Sequence, residues 1–176
     1  MYVTGSMIGM GVGIAIGLII CIFVFKYMNT DKKMGTKYDE MQEIARGRGY
    51  KYSFWTLLIC FALFFIFDSD KLDLPFTRPV LYFLAIMIAI LVQTTYCIWH
   101  DAYIGINTNV KRFVIVAVVV TAINLLAAVA AVKGGTMFTD GKLQTPFINF
   151  LCALLFGILG VEVLIKHAYD KKNPED

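Results

Sequence analysis

Charge is scarce in this chain. Asp, Glu, Lys and Arg make up 16% of its 176 residues, against about 25% in ordinary soluble domains. Hydrophobic residues reach 59%, and the mean hydropathy is +0.70. A water-soluble globule of this size cannot hide that much apolar surface, so part of its solvent is lipid. Histidine is almost missing, with two residues, and no H-E-x-x-H pattern exists to hold a catalytic zinc. The four cysteines, Cys21, Cys60, Cys97 and Cys152, each sit alone inside an apolar run. That excludes a local C-x-x-C redox or zinc motif and leaves them as small buried hydrophobes. The net charge of +3 is too small to point to nucleic acid. Neither a phosphate loop nor a nucleophile–base pair with supporting spacing is present, so the expectation is no cofactor, no metal and no enzyme activity.

What the chain has is long greasy runs. Five apolar segments are expected to span a bilayer, over about 6–27, 52–67, 79–99, 112–132 and 146–167, since about 20 helical residues cross ~30 Å of hydrocarbon. The expected fold class is all-α, an integral membrane helical bundle of five transmembrane helices plus a cytoplasmic amphipathic interfacial helix over about 37–50, forming one membrane domain over 1–176. Helix punctuation marks the boundaries. Thr145–Pro146 reads as N-cap and first residue of the fifth span, Asn109 as cap of the fourth, and Pro79 as first residue of the third. The connections "DSDKLDLPFTR" and "VKGGTMFTDGK" are rich in turn residues.

The basic residues are lopsided. Lys26, Lys32, Lys33, Lys37, Arg46, Arg48 and Lys51 surround the first loop. Lys111 and Arg112 lie in the third, and Lys166, Lys171 and Lys172 in the tail. Only Lys71, Arg78, Lys133 and Lys142 fall on the other side. The positive-inside rule therefore expects the N-terminus outside and the C-terminus in the cytoplasm. Without a basic n-region or an A-x-A-like site, the first span is expected to be retained rather than cleaved.

Glycines recur every four residues at Gly5, Gly9, Gly13 and Gly17. Gly9, Gly11 and Gly13 alternate and the next glycine is Gly17, which does not fit the G-x-G-x-x-G dinucleotide spacing, and no polar residue nearby supports a ligand. Four-residue spacing instead lays a smooth stripe along a helix, where backbones approach closely in lipid. The neighbour is either another span of the same chain, or a second copy or partner subunit. Gly157 and Gly160 make a second, weaker pair.

The stretch "TKYDEMQEIARGRGYKYSFW" is expected to start a helix with a capping box at Thr36 and Asp39. On a helical wheel Asp39, Gln42, Glu43, Arg46 and Tyr50 share one face, and Tyr38, Met41, Ala45 and Tyr52 the other. Glu43 and Arg46 can pair at i,i+3. The polar face reads either as a solvated connector or as a partner-docking surface built from Asp39, Glu40, Gln42, Glu43, Arg46 and Arg48. Gly47 and Gly49 act as a hinge or as a place of close packing. The segment resembles the D-E-x-Q then Gly-Tyr-x-Tyr pattern ahead of a span in small multi-span bacterial membrane proteins of uncharacterised function. Met41 stands where those proteins usually carry a basic residue. The resemblance implies a bacterial inner-membrane location and brings no activity.

Polar groups within spans are functional candidates. Glu162 is the acid well inside one, and its expected partner is Lys166 at i+4, or Arg46 or Arg48; the alternative role is proton or cation handling. His100 and Asp101 end span three, but adjacent helical residues point about 100° apart and make no pair by themselves. Gln93 and Asn124, with Thr94, Thr95 and Asn149, read as interhelical glue or, less simply, as a polar path. The expected function is a non-enzymatic accessory, regulatory or assembly subunit acting through helix–helix contacts. The alternatives are a small-solute or ion transporter, or its substrate-capturing subunit, and an immunity protein against a membrane-active peptide. The expected surroundings are the lipid bilayer and either further copies of the chain or another membrane protein.

Overall fold

The computed structural model describes the backbone of residues 2–67 and 74–173; the side chains of residues 2–8, 10 and 67 lie outside that description. Within it the chain forms five long helices: α1 (Tyr2–Met28), α2 (Glu40–Phe67), α3 (Arg78–Trp99), α4 (Val110–Lys133) and α5 (Phe147–Lys172). All five are long and apolar enough to cross a membrane. The chain is an all-α protein of transmembrane type. Large hydrophobic side chains are exposed along all of them, from Leu18 and Phe23 to Phe65, Leu126 and Leu164. Lipid is the solvent that such a surface needs.

The amphipathic stretch runs into the second span without a break. α2 is one helix of 28 residues, about 42 Å long, continuous through Gly47 and Gly49. Its start differs from the expectation. Asp39, not Thr36, is the capping residue: its Oδ1 accepts from the Gln42 backbone N–H at 2.7 Å, and Gln42 Oε1 accepts from the Asp39 N–H at 3.3 Å. The box is thus Asp39-x-x-Gln42, three residues later, because those side chains satisfy two orphan amides reciprocally.

α2 and α3 pack antiparallel along their whole length. Tyr52 meets Tyr96 edge-on at 5.1 Å, and Phe61 meets Tyr82 at 6.0 Å. They are closest at Gly49, where an added Cβ would lie 2.9 Å from Cys97 Sγ and 3.5 Å from the Gln93 carbonyl oxygen. Gly47 opens onto empty space. Close packing, not a hinge, accounts for Gly49. α4 and α5 form a second antiparallel pair, with Gly157 against Thr121 and Gly160 against Ala117. α3 joins the two pairs through a core of Ile98, Leu155, Leu159 and Val163.

Helix starts follow local chemistry. Asn109 caps α4 by accepting from the Arg112 N–H at 3.1 Å. α3 begins at Arg78 after Thr77, with Pro79 in its first turn. α5 begins at Phe147, with Pro146 as its N-cap and no side-chain capping bond, so Thr145 is not the cap. Just before it, Phe138–Thr139 and Lys142–Leu143 form a short antiparallel hairpin. Asp140 and Gly141 both adopt positive φ, at 51° and 76°, the type I′ requirement that favours Asp-Gly.

α1 stands apart. It has no buried residue from Gly11 to Met28. An added Cβ at Gly9, Gly13 or Gly17 would meet nothing within 4 Å. Of the two neighbours expected for the stripe, another span of the same chain does not cover Gly9, Gly13 or Gly17; the surroundings of Gly5 fall outside the described residues. Among its described side chains, half-buried positions appear only at Ile22, Val24 and Met28, where α1 leans on α4.

Candidate functional site

Polar chemistry concentrates at the end where α1 finishes, α2 begins, α3 passes to α4, and α5 finishes. Two features occupy it: a clasp between two loops, and a cleft beside it.

The clasp is built from two Asn-Thr pairs, 29–30 and 107–108. They meet as an antiparallel bridge with Asn29 opposite Thr108. The Thr30 N–H donates to the Asn107 carbonyl at 2.7 Å, and its hydroxyl donates to the same oxygen at 3.0 Å. The Thr108 hydroxyl donates to Asn29 Oδ1 at 2.9 Å, while Asn29 Nδ2 donates to the Lys33 carbonyl at 2.9 Å. Asn29 is 1% exposed and Asn107 7%. Asn107 is the hub. Its Oδ1 accepts from the Lys37 N–H at 2.8 Å, and its Nδ2 donates to the Gly35 carbonyl at 3.0 Å and to both Asp31 carboxylate oxygens at 3.2 and 3.3 Å. The Lys33 backbone N–H, with help from Asn107, Lys37 and Lys33, holds the Asp31 carboxyl below its ordinary value. Arg112 closes the other side, donating to the Tyr27 and Asn29 carbonyls at 3.1 and 3.4 Å, so a cation satisfies the C-terminal end of α1. At Gly105 an added Cβ would collide with Thr36 Cγ2 and the Lys37 carbonyl oxygen; only a glycine lets the loops come this close.

The cleft starts from the way α3 ends. Its last turn closes with the Ala102 N–H on the Cys97 carbonyl at 2.8 Å and the Asp101 N–H on the Ile98 carbonyl at 3.3 Å. This is a Schellman motif, and it needs a left-handed residue. Asp101 fills that place with φ 55°, tolerable because its short polar side chain is at home in αL. The turn aims its carbonyl at Gln42 Nε2, 2.6 Å away, and its carboxylate at Lys166 Nζ, 2.8 Å away. Lys166 also pairs with Asp170 at 2.6 Å. The result is a cleft of about 260 Å³ walled by Gln42, Asp101, Tyr103, Lys166, His167 and Asp170 over an apolar floor. Burial pushes the Tyr103 phenol up to about 12, with Tyr38 and Cys97 adding to the shift and Arg46 opposing it.

Several expected partners are placed differently. Lys166 holds Asp101 and Asp170, while Glu162 accepts from the Thr95 hydroxyl at 3.0 Å through each oxygen. The Glu162–Lys166 pair is not formed, because Lys166 has two carboxylates at the helix end to satisfy it. Arg46 does not pair with Glu43. Its guanidinium lies over the Tyr38 ring at 3.9 Å and donates to the Ala102 carbonyl and the Tyr50 hydroxyl, both at 3.3 Å. Two of the six residues of that polar face, Gln42 and Arg46, are thus already docked on the loop after α3. Glu40, Glu43 and Arg48 stay exposed.

Within the spans, Asn124 Nδ2 donates to its own helix, at the Val120 carbonyl, 2.8 Å away. The Gln93 carbonyl faces Gly49. His100 stacks on Tyr96 at 3.9 Å outside the cleft, with Nδ1 2.8 Å from the Tyr96 carbonyl. Gln93, Asn124 and Glu162 do not hydrogen-bond to one another among the described residues. No group of three His, Cys, Asp or Glu suited to a metal occurs among the described residues. Sequence reasoning missed Asn29, Asn107, Tyr103 and Asp170. The repeated Asn-Thr dipeptide and the i,i+4 spacing of Lys166 and Asp170 were the available signals.

Comparison with protein-family models, with curated proteins and with solved structures finds no match to this chain.

Proposed function

We propose that the protein is a non-enzymatic subunit of a bacterial cytoplasmic membrane, which assembles through α1 with a second copy or another membrane protein. The observation that carries this reading is α1 itself. It has 27 residues, no acid in its first turn and no buried residue from Gly11 onward. Yet its end is anchored by the buried Asn29 and by Arg112. A helix held firmly at one end and bare over the rest is shaped to present a surface. Its glycine face gives up no internal packing when a partner binds. In lipid, that face gains van der Waals contact from a close-packed neighbour. The basic first and third loops and tail favour an orientation with the clasp in the cytoplasm.

The test is stoichiometry in a bilayer. Labelled protein is reconstituted at low density and its bleaching steps are counted, with co-purifying partners identified in parallel from native membranes. The expected result is multi-subunit assembly, by homo- or hetero-association, that Gly9→Ile with Gly13→Ile abolishes. Those substitutions are expected not to lower the melting temperature of the isolated chain, since an added Cβ at either site meets nothing within 4 Å. A lone, partnerless wild-type chain, or assembly indifferent to both substitutions, refutes the proposal.

A further inference from the structure

The cleft at the polar end carries chemistry that assembly through α1 does not use. Its volume of about 260 Å³ lies just under the roughly 300–1,000 Å³ of sites for drug-sized ligands, which suits a group the size of a lipid headgroup. Its floor is Ile98, Ile104, Val110 and Val163, continuous with the apolar core. Its walls set two carboxylates, Asp101 and Asp170, against one ammonium, Lys166. The lysine side chain is 15% exposed, while those of Asp101 and Asp170 are 68% and 46% exposed. Both acids therefore keep acceptor capacity facing outward after pairing with Lys166. Tyr103 and His167 also line the cleft, and neither side chain makes a hydrogen bond among the described residues.

An ammonium ion with N–H donors matches this excess of carboxylate, as Lys166 itself demonstrates at 2.8 and 2.6 Å. A quaternary ammonium has no donors and calls for an aromatic cage, whereas the cleft offers the single ring of Tyr103. The site also sits where α3 and α5 end and α4 begins, the place where spans of this kind meet lipid headgroups.

We propose that the cleft binds a primary ammonium carried on a phosphate ester, with the ammonium on Asp101 and Asp170 and the phosphate on Tyr103 and His167. At this depth the source is an ethanolamine-type phospholipid. The full chain in detergent is titrated with short-chain phosphatidylethanolamine, phosphatidylcholine and soluble glycerophosphoethanolamine, and bound species are counted by native mass spectrometry. The ethanolamine lipid is expected to bind about tenfold tighter than the choline lipid, the worth of one charge-assisted hydrogen bond. Asp170→Asn is expected to erase that preference while its melting temperature without lipid verifies the fold. Lys166→Gln, which frees both carboxylates, is expected to raise the affinity. A soluble ester binding as tightly as the lipid supports the ammonium site and assigns its source to a free metabolite. Equal affinity for the two lipids, a preference surviving Asp170→Asn, or a weaker Lys166→Gln overturns the proposal.

Discussion

Asn107→Ala tests the clasp most directly. Asn107 is 7% exposed, and its amide joins Lys37, Gly35 and Asp31 at 2.8 to 3.3 Å. Truncation leaves the Lys37 N–H and the Gly35 carbonyl without partners and removes one donor from a carboxylate. A neutral hydrogen bond is worth about 1 kcal/mol net, so the Lys37 and Gly35 contacts together give roughly 2 kcal/mol. At 1.4 kcal/mol per factor of ten, the open form of the loop between α1 and α2 becomes about thirtyfold more populated. That loop contains Lys32, Lys33 and Lys37, so trypsin reports on it. Cleavage tracks the open population when opening and closing are faster than the cut. Lys171 and Lys172, exposed at the far end of α5, supply an internal reference whose rate does not change. An increase below about threefold at the loop sites, relative to that reference, refutes the idea that the buried asparagine holds the two loops together.

Two further outcomes follow from particular contacts. Gly47→Ala is expected to raise the melting temperature in detergent, since the site is open and alanine gains up to about 1 kcal/mol in a helix. Gly49→Ala is expected to lower it, by roughly 1–3 kcal/mol of overpacking against Cys97, which is 1% exposed and has nowhere to move; shifts of the same sign refute the α2–α3 geometry. The lowered pKa of Asp31 predicts the direction of a pH effect. A carboxylate held below its ordinary value of 3.8 stabilises the fold fully above that value and loses its contribution as pH falls through the native one. Thermal stability is then flat in this respect from about pH 5 to 8 and falls in more acid solution. The Asp31→Asn variant loses that acid-dependent component, and an identical acid profile in wild type and variant contradicts the assignment.

How much of this was legible in the residues depends on the range of the interaction. Spans were readable because burying backbone in lipid demands long apolar helices, and that requirement is written locally in each run. Caps were readable where one side chain serves its own helix, as Asn109 does. The start of α2 was off by one box because Thr36 and Asp39 offer the same pattern as Asp39 and Gln42. Only the loop contact at Gly105 decides between them, by fixing Thr36 and Lys37 against the turn after α3. The hairpin at 138–143 carried its Asp-Gly signal openly, yet is too short to show in hydropathy. Lys166 was the harder case. Its sequence neighbours Glu162 and Asp170 stand at equal spacing, and the choice between them was settled by Asp101, contributed from 65 residues away by a backbone turn into the left-handed region.

That same range explains why the two ends of the molecule behave differently. At the polar end, the contacts join residues some 60 to 85 positions apart, such as Gln42 with Asp101 and Arg112 with Tyr27. Each is a hydrogen bond with strict geometry, so the loops and helix ends there have one arrangement. Along α1 beyond its last turns, no such bond exists among the described residues, and lipid satisfies apolar side chains in any orientation. The glycines there cannot fix a direction by themselves. Arg112 and Asn29 do so instead, by holding the carbonyl end of the helix, and thereby set the line along which the smooth face is offered. In the proposed assembly, a partner reading that face would meet a helix already aimed, so less orientational freedom would be lost than for an untethered span.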